Sequence, residues 1–147
     1  MFAGKICEGE EIIFLTPEHI NFCHEKALTL HPDNLTGTKN VGAIQSAINR
    51  AEQFHYYEQE HDLVRLAAVI WHGLGRAHGY NDANKRTAFI SAFTFLEMNG
   101  VEVSAPADEP GRFTNALFEL DEQGKDQFEI ERLEGYLRSR SRWIEAE

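Results

Sequence analysis

Residues 78–99, HGYNDANKRTAFISAFTFLEMN, change character near their midpoint. Polar groups dominate from His78 to Arg86, whereas from Ala88 to Met98 the run is apolar except for Ser91, Thr94 and Glu97. With Thr87, those three recur at spacings of four, three and three, so on a helix they form one narrow polar stripe along an otherwise apolar cylinder. A helix of that kind belongs in the middle of a core. Its polar head would carry unpaired backbone N–H groups and the positive end of the helix dipole, which favours an anion, a phosphate above all.

The neighbouring stretches supply what would bury such a helix. Asp62 opens a helical pattern over Leu63–Ala77, where Leu66, Ala67, Val69, Ile70, Trp71 and Leu74 leave a polar strip at Arg65, His72 and Arg76. Gly73 and Gly75 inside it cost roughly 1 kcal/mol each against alanine, a loss that close approach of a neighbouring helix would offset. Further upstream, Val41–Tyr57 is amphipathic, with Ile44, Ala47, Ile48, Ala51 and Phe54 on one face. Thr16-Pro17-Glu18 reads as an N-cap, a first-turn proline and an acid against the dipole, and Ile20, Cys23, Ala27 and Leu30 follow as a buried face. His19, His24 and His31 are read as exposed or capping residues, since no second ligand set accompanies them. Between these helices, His31–Val41 (HPDNLTGTKNV) is a loop long enough to suggest a flap that docks a target segment.

Downstream, Asn99-Gly100 is a helix stop and Val101-Glu102-Val103 a short extended piece. The spacing then predicts a helix over Arg112–Leu120, with Phe113, Ala116, Leu117 and Leu120 inward, and a last one over Ile130–Arg138 around Ile130, Leu133 and Leu137. The fold class expected is all-α, a bundle of about six helices around a buried central helix. One domain spans 1–147, with residues 1–15 as a lead-in.

Composition sets limits on function. The chain has 147 residues, 42% of them hydrophobic and 26% charged, enough to bury a core without disulfides or metal. No apolar run approaches the length of a membrane span and the N-terminus lacks a secretory pattern, so a soluble, cytoplasmic protein is expected. The two cysteines, Cys7 and Cys23, are expected to be a surface thiol and a small buried residue. A net charge of −10 repels polyanions, and the only C-terminal basic run, Arg138, Arg140 and Arg142, is diluted by acidic neighbours, which argues against direct nucleic-acid binding.

The polar block itself suggests phosphoryl chemistry. His78 can take a proton from a hydroxyl, Asp82 can hold magnesium, and Asn84, Lys85 and Arg86 can hold phosphate charge. Read as stability alone, the same residues are a helix start with solvated charge. Two cations in a first turn oppose the dipole by roughly 0.3–1 kcal/mol each, a poor choice without a ligand to bind.

HGYNDANKRTA resembles the signature of the Fic/Doc family in its Doc branch, HxFx(D/N)(A/G)NKR, departing from it at Gly79-Tyr80, where the family's phenylalanine anchors the loop. FLTPEHINFCHE is similar to the family's first helix, VGAIQSAINR to its second, and NGVEV to the usual continuation of the central helix. The resemblance implies that His78 activates a target hydroxyl, that Asp82 helps hold Mg2+, and that Asn84, Lys85 and Arg86 contact the phosphates of ATP. Fic enzymes that transfer AMP carry glycine in place of Lys85 and a second arginine in place of Phe89. A Doc-like toxin is therefore implied, one that moves the γ-phosphoryl of ATP onto a protein hydroxyl. The target class implied is elongation factor Tu, and the toxin would be held silent by a cognate antitoxin. The inhibitory (S/T)xxxE(G/N) helix motif of self-restrained members does not occur in this sequence, consistent with restraint in trans. Two other readings stand beside it, a Fic-type AMP transferase and a catalytically silent partner-binding member.

Overall fold

The computed structural model describes residues 2–7, 9–29, 40–77 and 84–145. The loop expected at His31–Val41 lies outside the described residues apart from Asn40 and Val41, and so do His78, Gly79, Tyr80 and Asp82.

Each early helix begins where side-chain chemistry satisfies its first N–H groups. Helix α1 (Pro17–Thr29) follows Thr16, whose hydroxyl accepts from the His19 N–H at 3.3 Å while the Thr16 N–H donates to His19 Nδ1 at 3.0 Å. Helix α2 (Val41–Tyr57) is capped by Asn40, whose Oδ1 accepts from the Ala43 N–H at 3.0 Å. Helix α3 (Leu63–Ala77) is capped by Asp62, whose Oδ1 accepts from Val64 and Arg65 at 3.0 and 3.4 Å. Helix α4 (Asn84–Met98) follows, and then strand β1 (Val101–Val103), helix α5 (Glu109–Phe118), helix α6 (Ile130–Arg138) and strand β2 (Ser141–Trp143). The two strands pair antiparallel, Val101 opposite Trp143 and Val103 opposite Ser141. Among the described residues the protein is thus six helices and one small ribbon, the all-α class expected.

The α3–α4 hairpin occupies the centre. Helix α3 packs on α2, α4 and α6, and α1 covers the other side of α4. Ten of its residues are buried, including Leu66, Val69, Ile70 and Trp71, which is why its sequence reads as almost continuously apolar. The ring of Trp71 meets Phe89, Phe93, Phe113 and Tyr136, so one indole joins α3, α4, α5 and α6. The polar stripe of α4 rises out of this core along its length. Thr87 and Ser91 are buried, Thr94 is half-buried with its hydroxyl donating to the Ile90 carbonyl at 2.8 Å, and Glu97 is exposed.

Asn99, at the end of α4, ties the lead-in to the bundle. Its carboxamide accepts from the Ile13 N–H and donates to the Ile13 carbonyl, both at 2.9 Å. Leu15 beyond it is buried, as the lead-in's apolar residues suggest, while Ile13 remains exposed.

Several expectations are corrected. His24 is buried, because positions 20, 23, 24 and 27 form the inward face of α1 and helix geometry carries residue 24 inward whatever its polarity. Helix α5 starts at Glu109 rather than Arg112, since Pro110 fits a first turn where no N–H is needed. It also ends at Phe118, which leaves Leu120 exposed outside it, and Ala116 faces solvent. Gly73 does lie against a helix, with an added Cβ 3.2 Å from Ala47 Cβ, but Gly75 instead makes room for the Phe128 ring. The arginines at 138, 140 and 142 are absorbed in ion pairs with Asp62, Glu109 and Glu102, so they tie the C-terminal segment to the bundle rather than presenting a basic patch. Cys23 is buried and Cys7 exposed, both free, as expected. No helix among the described residues is long and apolar enough to cross a membrane.

Candidate functional site

The polar motif joins the end of α3 to the start of α4. His78 and Asp82 lie outside the described residues, so the site is built from what stands on either side of them: Arg76 in the last turn of α3, and Asn84, Lys85 and Arg86 in the first turn of α4. Asn84 and Arg86 are half-buried and Lys85 is exposed. Burial lowers the pKa of the Arg86 guanidinium from its ordinary value, which still leaves it a cation at any physiological pH. Three side chains able to hold an anion therefore occupy consecutive positions in the first turn of α4, where backbone N–H groups lack intrahelical partners.

This head of the hairpin rests on a shelf of two aromatic rings that sequence reasoning did not find. Phe118, the last residue of α5, and Phe128, just before α6, stack with centroids 4.3 Å apart and planes 21° apart. Lys85 Nζ lies 4.5 Å from the Phe118 centroid. The Arg76 guanidinium lies 5.5 Å from the same ring and 5.2 Å from Phe128. Phe128 is fully buried and its edge fills the space beside Gly75, where a Cβ would stand 2.5 Å from Phe128 Cζ. No periodicity links positions 76, 85, 118 and 128, and only the three-dimensional packing brings them together.

Arg76 is also the electrostatic clamp of the shelf. Its guanidinium donates to both carboxylate oxygens of Asp126, at 2.6 and 2.8 Å, and to the Phe128 carbonyl at 2.9 Å. Hydrogen bonding from Arg76, with a further bond from the Phe128 N–H, holds the Asp126 carboxyl down to about 2. On the other face of Phe128, the His72 ring stacks at 5.5 Å and 14°. Its imidazole is pushed below its ordinary pKa, first by burial and then by the positive charges of Arg50 and Arg76, with Glu131 and Asp126 opposing. His72 is therefore harder to protonate than an exposed imidazole.

Among the described residues no group of three or more His, Cys, Asp or Glu side chains is arranged to hold a metal ion. Asp82, the magnesium ligand expected from the sequence, lies outside them. The donor set on view, an amide and two cations at a helix N-terminus, is chemistry for phosphate.

Comparison with known proteins identifies the family. The description of the Fic/DOC family matches residues 14–96, which run from the lead-in through α1, α2 and α3 into α4. The chain is 35% identical over 89 residues to Protein kinase doc of Escherichia phage P1, an alignment that covers 60% of this chain and 70% of that protein. It is also 35% identical over 71 residues to Toxin Doc of Mycolicibacterium smegmatis, covering 48% of this chain and 55% of that protein. The matched span holds α1, α2, α3 and most of α4 together with the motif between α3 and α4, and on that footing the chain belongs to the Fic/DOC family.

Proposed function

We propose that this protein is a Doc-like toxin that transfers the γ-phosphoryl group of ATP to a hydroxyl of a target protein. The observation that carries the reading is Lys85. It places a cation in the first turn of α4, where the AMP-transferring pattern has glycine, and Phe89 stands where that pattern has its second arginine. Similarity to a phage P1 protein named a protein kinase supports the same direction.

In this reading the phosphates of ATP lie against the α4 N-terminus, held by Asn84, Lys85 and Arg86. His78 accepts the proton of the target hydroxyl as its oxygen bonds to the γ-phosphorus, and the bond to the β-phosphate oxygen breaks to release ADP. Asp82 would hold magnesium, which supplies charge neutralisation on the phosphates when bound. The protein's own contribution is alignment and fixed positive charge at a helix end, with the imidazole as base. We take the target to be a cytoplasmic translation factor of the elongation factor Tu class, and restraint to come from a cognate antitoxin.

Incubation of the chain, magnesium and elongation factor Tu with ATP labelled separately at the α and γ positions tests the reading. Label reaching protein from the γ position only, with the mass of one phosphate, is the expected result. Label from the α position would replace it by AMP transfer. Growth arrest that survives His78→Ala in a folded protein would instead make the chain a partner-binding member without catalysis.

A further inference from the structure

Phe118 lies beyond the residues that match the family, yet its ring carries two cations from the two sides of the motif. Lys85 Nζ stands 4.5 Å from its centroid and the Arg76 guanidinium 5.5 Å. The two charges are not equivalent. Arg76 is matched by Asp126 in a two-pronged ion pair, whereas among the described residues Lys85 makes no ion pair. Among the described residues, the cation at the ring without a carboxylate partner is therefore that of Lys85. The ring is itself held, because it stacks on Phe128, and Phe128 is fully buried against Gly75.

A lysine ammonium on a flexible four-carbon stem samples many positions, and an exposed one has little to choose among them. An aromatic face selects those in which the ammonium lies over the ring. We propose that Phe118 is a positioning residue for Lys85: it holds the ammonium beside the first turn of α4, where the phosphates of a nucleoside triphosphate would bind. The proposal rests on the reading of Lys85 as a phosphate ligand given above. Arg76 and Asp126 keep the shelf in place, and Phe118 of α5, outside the family-matched span, thereby supports a lysine within it.

The test measures MgATP affinity by calorimetry on the full chain, for wild type, Phe118→Leu and Phe118→Tyr, and for the same ring changes made together with Lys85→Gln. Removing the ring face with Phe118→Leu is expected to weaken binding roughly two- to five-fold. Phe118→Tyr keeps the face and should restore wild-type affinity. With Lys85→Gln present, Phe118→Leu should have no further effect, a coupling that a merely structural role would not produce. Unchanged affinity in Phe118→Leu, or an equal loss with and without Lys85, overturns the proposal.

A second readout needs no ligand. The ε-methylene protons of Lys85 should resonate upfield through the ring current in wild type and Phe118→Tyr, and return to ordinary positions in Phe118→Leu. Should the leucine variant fail to fold, Phe118→Met takes its place, and absence of the upfield shift in wild type would itself overturn the contact. If the wild-type chain binds MgATP and transfers no label, the transferase reading fails while the positioning stands on the affinity and resonance results.

Discussion

Phe128 occupies the space that a side chain on Gly75 would need. A Cβ there would lie 2.5 Å from Phe128 Cζ and 2.8 Å from Cε2, and the ring is enclosed between Phe118 and His72 with no exposure to solvent. Gly75→Ala should therefore destabilise the protein by about 1–2 kcal/mol, because overpacking outweighs the gain in helix propensity. Gly73→Ala meets Ala47 Cβ at 3.2 Å, a contact that a shift of a few tenths of an ångström relieves, and should lie within about 1 kcal/mol of wild type. Urea unfolding of the two variants side by side checks the ordering, and equal midpoints would contradict it.

Arg138 and Arg142 are both paired, in very different surroundings. Arg138 donates to the Phe2 carbonyl and to Asp62 Oδ2, each at 2.8 Å, and both members of its ion pair are largely buried. Arg138→Met leaves the capping carboxylate of α3 without its partner and should cost about 3 kcal/mol. Arg142 pairs with Glu102 on the exposed ribbon, so Arg142→Met should change stability by less than about 0.5 kcal/mol. Thermal midpoints separate the two, and a comparable loss at Arg142 would show that the ribbon matters more than its exposure suggests.

The depressed imidazole of His72 makes stability depend on pH. Its folded pKa lies below the ordinary 6.5, so the unfolded chain takes up this proton more readily than the folded one. The contribution is complete above about 6.5 and is lost as pH falls through the lower folded value. His72→Gln should thus flatten the decline in urea midpoint between pH 7.5 and about 5. A decline as steep in the variant as in wild type assigns it to other groups.

In the proposed reading Arg86, in the first turn of α4, holds phosphate charge. Arg86→Ala should lower phosphoryl transfer by about a hundredfold or more, in line with removing one preorganised charge donor. Single-turnover transfer of γ-label measures it, with circular dichroism to show that the variant folds. Transfer retained within a few-fold of wild type would remove Arg86 from the site.

Much of the fold is legible in the chain because local chemistry marks the helix ends. The limits of α2, α3 and α6 coincide with the expected 41–57, 63–77 and 130–138: Asn40 and Asp62 cap α2 and α3 with their side chains, and the apolar spacing of Ile130, Leu133 and Leu137 marks α6, which has no side-chain cap. Pro110 is compatible with either a turn or the first turn of a helix, so sequence spacing alone does not place the start of α5 at Glu109. Strand β2 escaped notice because Ser-Arg-Trp has no apolar alternation and its partner is Val101–Val103, far back in the sequence. The candidate site divides in the same way. Lys85 and Arg86 are visible as cations ill-suited to a helix start, whereas the Phe118–Phe128 shelf arises from contacts across three elements that no local pattern encodes.

The paired bonds between Asn99 and the main chain of Ile13 have a consequence for the wiring of the molecule. A carboxamide that both accepts and donates imitates a strand neighbour, so the chain departs from residue 13, lays down α1 to α4, and returns to its point of departure. The family match, residues 14–96, lies just inside that seam, so the positions flanking its two ends meet in space although they are far apart in sequence. Joined by a short linker at that seam and opened at an exposed turn elsewhere, its four helices could be circularly permuted, their order of synthesis changed without altering which faces meet.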